Sequence, residues 1–126
     1  MTAAAPRILI VEDDALQAES LRASLTNAGF VVIGVADDCA TALSFANQAE
    51  PDLAPDLALV DVRLTGNIDG ITTGRQLFEE HGIPIVFLTA FLDDAVQQGR
   101  AFAKGFVNKP YSTDDVIATI RRALTG

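Results

Sequence analysis

Five polar residues stand where short apolar runs end. "RILIV" (7–11) leads into Glu12 and Asp13, and "LALV" (57–60) leads into Asp61. "IPIVFLT" (83–89) finishes on Thr89, and "GFVN" (105–108) is followed by Lys109 and Pro110. Each has an ordinary explanation in isolation. Asp13 or Asp14 can cap a helix, Asp61 can open a turn, Thr89 can finish one, and Lys109 can be a solvated charge. Together, three acids, a hydroxyl and a lysine suit one chemistry. Carboxylates held within a few ångströms repel one another unless a cation is present. A hard divalent ion, Mg²⁺ or a similar ion such as Mn²⁺, relieves that repulsion and needs few protein carboxylates. Asp61 can then act as a nucleophile toward phosphorus. The ion covers one phosphoryl oxygen, the Lys109 ammonium a second, and the Thr89 hydroxyl meets the remaining charge. Ala90, directly after Thr89, is small enough to leave the phosphoryl group room.

That chemistry requires the residues to share one place, which the intervening elements must arrange. The apolar runs, with "VVIGV" (31–35), have strand length and β-branched content. Helical patterns separate them. Ala18, Leu21, Leu25 and Ala28 recur at helical spacing, and Gly29 supplies a stop. Further helices are expected near 38–49, 70–81 and 93–103. A last one opens at "STDD", with Ser112 as cap and Val116, Ile120 and Leu124 on one face. Strands alternating with helices predict an open parallel sheet covered on both faces. All strands then point the same way, and their C-terminal ends form the edge where ligands bind. The tandem "PDLAPDLA" (51–58) reads as a lengthened surface loop rather than a repeat fold.

The whole chain limits the remaining possibilities. At 126 residues it is about one domain, with 49% hydrophobic and 21% charged residues, a folded composition. A net charge of −8 argues against direct nucleic-acid binding, which draws on Lys and Arg. No apolar run is long enough to span a membrane, and no secretory signal is legible. The single cysteine, Cys39, has no internal disulfide partner. It reads as a packing residue, and the cytoplasm is the expected compartment. His81, before Gly82, reads as a helix-end residue favoured by the macrodipole. Asp37, Asp38, Asp93 and Asp94 read as loop and cap residues.

"ILIVEDD", "LALVDVRL", "VFLTA" and "GFVNKP", in this order and spacing, resemble the receiver domain of two-component response regulators from Arg7 to about Leu124. The resemblance implies a flavodoxin-like five-stranded sheet in the order 2-1-3-4-5 with five helices. It implies that Asp61 accepts a phosphoryl group from a histidine kinase or a histidine phosphotransfer protein. Asp13 and Asp61 would ligate Mg²⁺ directly, Glu12 through water, and Arg63 through its backbone carbonyl. Lys109 would contact the phosphoryl group, across a cis Lys109–Pro110 bond. Thr89 and Phe106 would be the switch residues, one moving toward the phosphate and the other turning inward behind it. An unidentified protein would then be the downstream target. The chain reads as one receiver, residues 1–126 with a core of about 7–124 and no output domain.

Two departures from the family pattern bear on function. The loop "DVRLTGNIDG" is slightly long and carries Leu64–Thr65 where Met–Pro is frequent. It is similar to stand-alone receivers associated with HWE-type histidine kinases. The interval from Thr89 to Lys109 is slightly short, which predicts a short or irregular fourth helix. Arg63 and Phe91 flank the site and are expected to control water access to an acyl phosphate. The competing readings are a phosphorylation-independent binding module of the same fold and an aspartyl-phosphate phosphatase. The phosphatase reading lacks the second acid such enzymes place two residues after the nucleophile, because that position is Arg63.

Overall fold

Ile8 and Ile10 face one way along the first strand, and Leu9 and Val11 the other, so that strand must be covered on both sides. The computed structural model describes residues 5–48, 50, 54–64 and 68–125. The 51–53 half of the tandem stretch and residues 65–67 of the long loop lie outside these.

In chain order the elements are β1 (Arg7–Val11), α1 (Ala15–Asn27), β2 (Val31–Ala36), α2 (Cys39–Gln48) and β3 (Leu57–Asp61). Then come α3 (Gly70–His81), β4 (Ile85–Thr89), α4 (Leu92–Gly99), β5 (Gly105–Asn108) and α5 (Thr113–Thr125). The strands form one parallel sheet in the order β2-β1-β3-β4-β5. This is the flavodoxin-like order that the resemblance implies.

The period of two along the strands sorts the core into two layers. Ile8, Ile10, Leu57, Leu59, Val86 and Leu88 pack under Leu21 and Leu25 of α1 and Val116 and Ile120 of α5. Leu9, Val11, Ala58, Val60 and Phe87 pack under Ala42 of α2, Ile71 and Leu77 of α3, and Ala95 of α4. β3 and β4 are buried along their whole length, which is why they read as unbroken apolar runs.

The helix ends follow local chemistry. Asp14 caps α1, its side chain accepting from the N–H groups of Leu16 and Gln17 at 2.9 and 3.1 Å. Ser112 Oγ accepts from the Asp115 N–H at 3.1 Å and opens α5. Gly29 and Gly82 both take positive φ: Gly29 is the stop expected after α1, and Gly82 makes a left-handed exit from α3. Asp38 Oδ1 accepts from Thr41 N–H at 2.8 Å at the start of α2, the role expected of a cap.

The fourth helix is short, as the narrow Thr89–Lys109 interval predicts, and stops earlier than the expected 93–103. It spans eight residues and ends at Gly99. The Phe102 and Ala103 N–H groups both return to the Gly99 carbonyl, and Lys104 N–H donates to Ile85 O at 2.8 Å. The chain must turn there to place Phe102 against Phe87 and enter β5.

Candidate functional site

Because every strand runs the same way, the residues at 12, 61, 89 and 109 meet at the C-terminal edge of the sheet. Asp61, the last residue of β3, is only 3% exposed. Lys109 Nζ lies 2.5 Å from its Oδ2, and the Arg63 N–H donates to its Oδ1 at 2.9 Å. The carboxylate is therefore held by both oxygens, with one ammonium balancing its charge.

Glu12 follows β1 and is 2% exposed. Its Oε2 accepts from the Asp14 N–H at 3.2 Å. Its Oε1 is buried with no hydrogen-bond partner among the described residues. Burial pushes the Glu12 carboxyl up to about 8, and the adjacent Asp61 carboxylate pushes the same way, against the Asp14 N–H and the Lys109 ammonium. Asp13, beside it in the chain, is partly buried.

Among the described residues no three His, Cys, Asp or Glu side chains form an all-protein metal cage. Mg²⁺ does not need one, since it binds through one or two carboxylates and keeps several waters. A buried, unsatisfied carboxylate oxygen beside the Asp61 carboxylate is a donor set that fits a small hard cation.

Thr89 is buried at the end of β4, and its Oγ1 accepts from the Phe91 N–H at 2.9 Å. The Lys109 N–H donates to the Thr89 carbonyl at 2.7 Å, tying the ends of β4 and β5 together. The Lys109–Pro110 bond is cis. Phe106 is half-buried and stacks on Phe87, with centroids 5.9 Å apart.

The side chain of Arg63 makes a contact separate from the hydrogen bond that its backbone gives to Asp61. Its guanidinium sits 4.9 Å from the centroid of Phe91, a ring that is 54% exposed. The two flanking residues singled out in the sequence thus touch each other, which no linear spacing reveals.

Two more residues belong to the site and escape sequence reasoning. Gly70 opens α3 with its N–H donating to Val62 O at 2.8 Å. A Cβ there would lie 1.9 Å from the carbonyl oxygen of Asp61. The Asp-Gly pair before an amphipathic run signals a helix start, and Asp69 does cap α3, but nothing in it signals close approach to Asp61. Tyr111 lines a mostly apolar hollow with Gln17, Ala90, Lys109 and Pro110. Its phenol is pushed up by burial first, then by the negative charges of Glu12 and Asp61. A tyrosine directly after Lys-Pro was the available signal.

Cys39 and His81 lie outside this site. Cys39 is buried and its Sγ donates to Gln76 Oε1 at 3.2 Å, in keeping with a packing role. His81 ends α3 ahead of left-handed Gly82.

A doubly wound parallel sheet with an acidic, lysine-bearing edge defines a receiver-type α/β protein. Residues 8–121 match the family model of the response regulator receiver domain, and the chain belongs to that family. It is 38% identical over 122 residues to the DNA-binding response regulator MtrA of Mycobacterium tuberculosis, covering 94% of this chain and 50% of that protein. It is 36% identical over 126 residues to the transcriptional regulatory protein PdtaR of the same species, covering 98% and 59%. The chain thus spans about half the length of the curated relatives it matches. Among solved structures, it is similar to the signal receiver domain of a modulated diguanylate cyclase from Desulfovibrio desulfuricans G20. That match has a TM-score of 0.83 and 36% identity, and covers 96% of this chain and 94% of that one. The response regulator PhyR from Brucella abortus superposes with a TM-score of 0.83 at 29% identity, covering 96% and 48%. The chain is therefore a receiver of two-component signalling. No helix among the described residues is long and apolar enough to cross a membrane.

Proposed function

We propose that Asp61 is the phosphoacceptor of a Mg²⁺-dependent switch loaded by a phosphohistidine donor, either a histidine kinase or a histidine phosphotransfer protein. The observation that carries this reading is the Asp61 carboxylate, buried and held by Lys109 and the Arg63 N–H, beside a buried Glu12 oxygen without a partner. Asp61 attacks phosphorus, the donor's N–P bond breaks as the O–P bond forms, and the imidazole leaves. Lys109 moves its ammonium from the carboxylate to a phosphoryl oxygen. Thr89 exchanges the Phe91 N–H for the new negative charge and supplies its hydroxyl proton as the donor. Mg²⁺ bound by Asp13, Asp61, the Arg63 carbonyl and, through water, Glu12 would supply charge neutralisation on the transferring group.

The receiver is then a switch that favours one of two conformations, with Thr89 and Phe106 reporting the phosphorylated state to a protein partner. We assign residues 1–126 to a single receiver unit acting on proteins rather than on nucleic acid or membrane. Intact mass after incubation with acetyl phosphate tests the assignment. A phosphoryl adduct that requires Mg²⁺ and is missing from Asp61→Ala supports it. An adduct that persists in Asp61→Ala would place the acceptor elsewhere.

A further inference from the structure

Phe78 and Phe102 form the outer end of a ladder of rings. Phe78 of α3 meets Phe102 at 6.2 Å, Phe102 meets Phe87 edge to face at 5.8 Å, and Phe87 stacks on Phe106 at 5.9 Å. Phe87 is fully buried and tightly held, since a Cβ on Gly74 of α3 would lie 2.6 Å from its ring and one on Gly99 of α4 3.0 Å away. Phe102 is half-buried against that fixed ring, and Phe78 beside it is 37% exposed. The pair is thus an aromatic surface held in place before anything meets it.

The charges around this pair are of the minority sign. The chain has 17 acidic residues and only 9 Lys and Arg. Three of those cations, Arg75, Arg100 and Lys104, are exposed beside the pair. The Arg75 guanidinium lies 5.4 Å from the Phe102 centroid. Arg100 and Lys104 stand two residues before and after Phe102, in the turn whose N–H groups return to the Gly99 carbonyl. Among the described residues none of the three is in an ion pair. Glu79 stands one helical turn from Arg75, at a spacing where such a pair can form. The guanidinium lies toward α4 instead, where its NH2 reaches the Gln98 carbonyl at 3.4 Å. That one weak bond leaves most donors of the fork for a carboxylate from outside. Glu80, two residues from Phe78, does not share its side of the helix.

The patch is remote from the phosphorylation edge. Phe78 is in the last turn of α3, and the Lys104 N–H donates to Ile85 O at 2.8 Å, where β4 begins. Asp61 and Thr89 close the opposite ends of their strands.

We propose that this seam between α3 and α4 is a docking surface for an acidic segment of a partner protein. The segment sets an apolar side chain on the Phe78–Phe102 pair and its carboxylates on Arg75, Arg100 and Lys104. Charge complementarity selects the occupant. On a protein of net charge −8, cations gathered round an aromatic pair attract an acidic chain that the remaining surface repels, which fixes where it lands. Three cations are few for nucleic acid, whose affinity grows with the number of phosphates neutralised.

The test titrates isotope-labelled protein with a helical peptide of glutamates that carries leucines and one tryptophan along one side, followed by amide NMR. The expected result is a cluster of shifted amides at 75–79 and 98–104. Arg75→Glu and Lys104→Glu should each weaken binding about three- to tenfold, and Phe78→Ala about tenfold. Arg22→Glu makes the same change of charge on α1, across the sheet, and should leave the affinity within about twofold. Should Phe78→Ala fail to fold, the two charge reversals at exposed positions decide. Shifts scattered over the surface, an equal loss in Arg22→Glu, or no binding at about 1 mM peptide overturn the proposal. Tighter binding of oligothymidylate than of the peptide would assign the patch to nucleic acid. Shifts of the same amides on concentrating the protein alone would assign it to a second copy. Either result overturns the acidic partner.

Discussion

Replacing Gly70 by alanine puts a methyl group where the backbone of the phosphoacceptor already stands. The new Cβ would lie 1.9 Å from the Asp61 carbonyl oxygen and 2.7 Å from both the Asp61 carbonyl carbon and the Val62 Cα. These are backbone atoms in and beside a fully buried strand, so no side chain can swing aside. The start of α3 and the end of β3 must separate by about 1 Å or more to reach ordinary contact distance. Overpacking of this kind costs about 1–3 kcal/mol. Stretching the Gly70 N–H···O=C Val62 bond adds about 1 kcal/mol. Alanine at the first helical position returns a fraction of that through helix propensity, leaving a net loss of about 2–3 kcal/mol. Thermal unfolding should therefore fall by roughly 6–12 °C. A shift of that size in a nucleophile should also slow phosphorylation by acetyl phosphate about a hundredfold at temperatures where the variant is folded. Gly82→Ala is the control. Gly82 has φ 67° with nothing within 4 Å of an added Cβ. It should lose about 1–2 kcal/mol through left-handed strain and keep its phosphorylation rate. If Gly70→Ala matched the wild type in both stability and rate, the steric reasoning would be refuted.

Glu12→Gln should raise the melting temperature of the metal-free protein and weaken Mg²⁺ binding, read by calorimetry. The sign follows from the raised carboxyl: with Glu12 pushed from 4.5 to about 8, its stabilising effect is present at low pH and fades as pH rises through that interval. The advantage of the variant should grow from acid toward pH 8, and Mg²⁺ should narrow it by stabilising the wild type. Arg63→Ala, Phe91→Ala and the double variant should show a coupling of about 0.5–1 kcal/mol in urea unfolding. All three should lose the acyl phosphate faster than the wild type, by similar factors, if the pair acts as one cover; additive rates would show independent roles. Asp14→Ala removes the cap of α1 and should cost about 1 kcal/mol without changing the Mg²⁺ requirement. A shift in metal affinity would mean that Asp14 serves the site and not only the helix.

What could be read from the chain alone was whatever local pattern and strand direction determine together. Apolar runs of strand length separated by helical periodicity specify a parallel sheet, and parallel strands bring their C-terminal ends to one edge. That is enough to gather Glu12, Asp61, Thr89 and Lys109 without coordinates. The cap Ser112 was legible for the same reason, and that of α1 was narrowed to Asp13 or Asp14, since a cap acts on residues two or three positions away.

The close contacts across elements were decided only by packing. Gly70 looks like any helix-start glycine until α3 is laid against the end of β3. Arg63 and Phe91 belong to different loops, and only the spacing of β3 and β4 in the sheet stacks one on the other. Phe78, Phe87, Phe102 and Phe106 lie on four separate segments. Their ladder exists because α3 and α4 each present a glycine to the same ring. Periodicity states which face of an element is buried. Which neighbour fills that face, and at what distance, depends on side-chain volumes meeting across the core, and only the folded chain settles that.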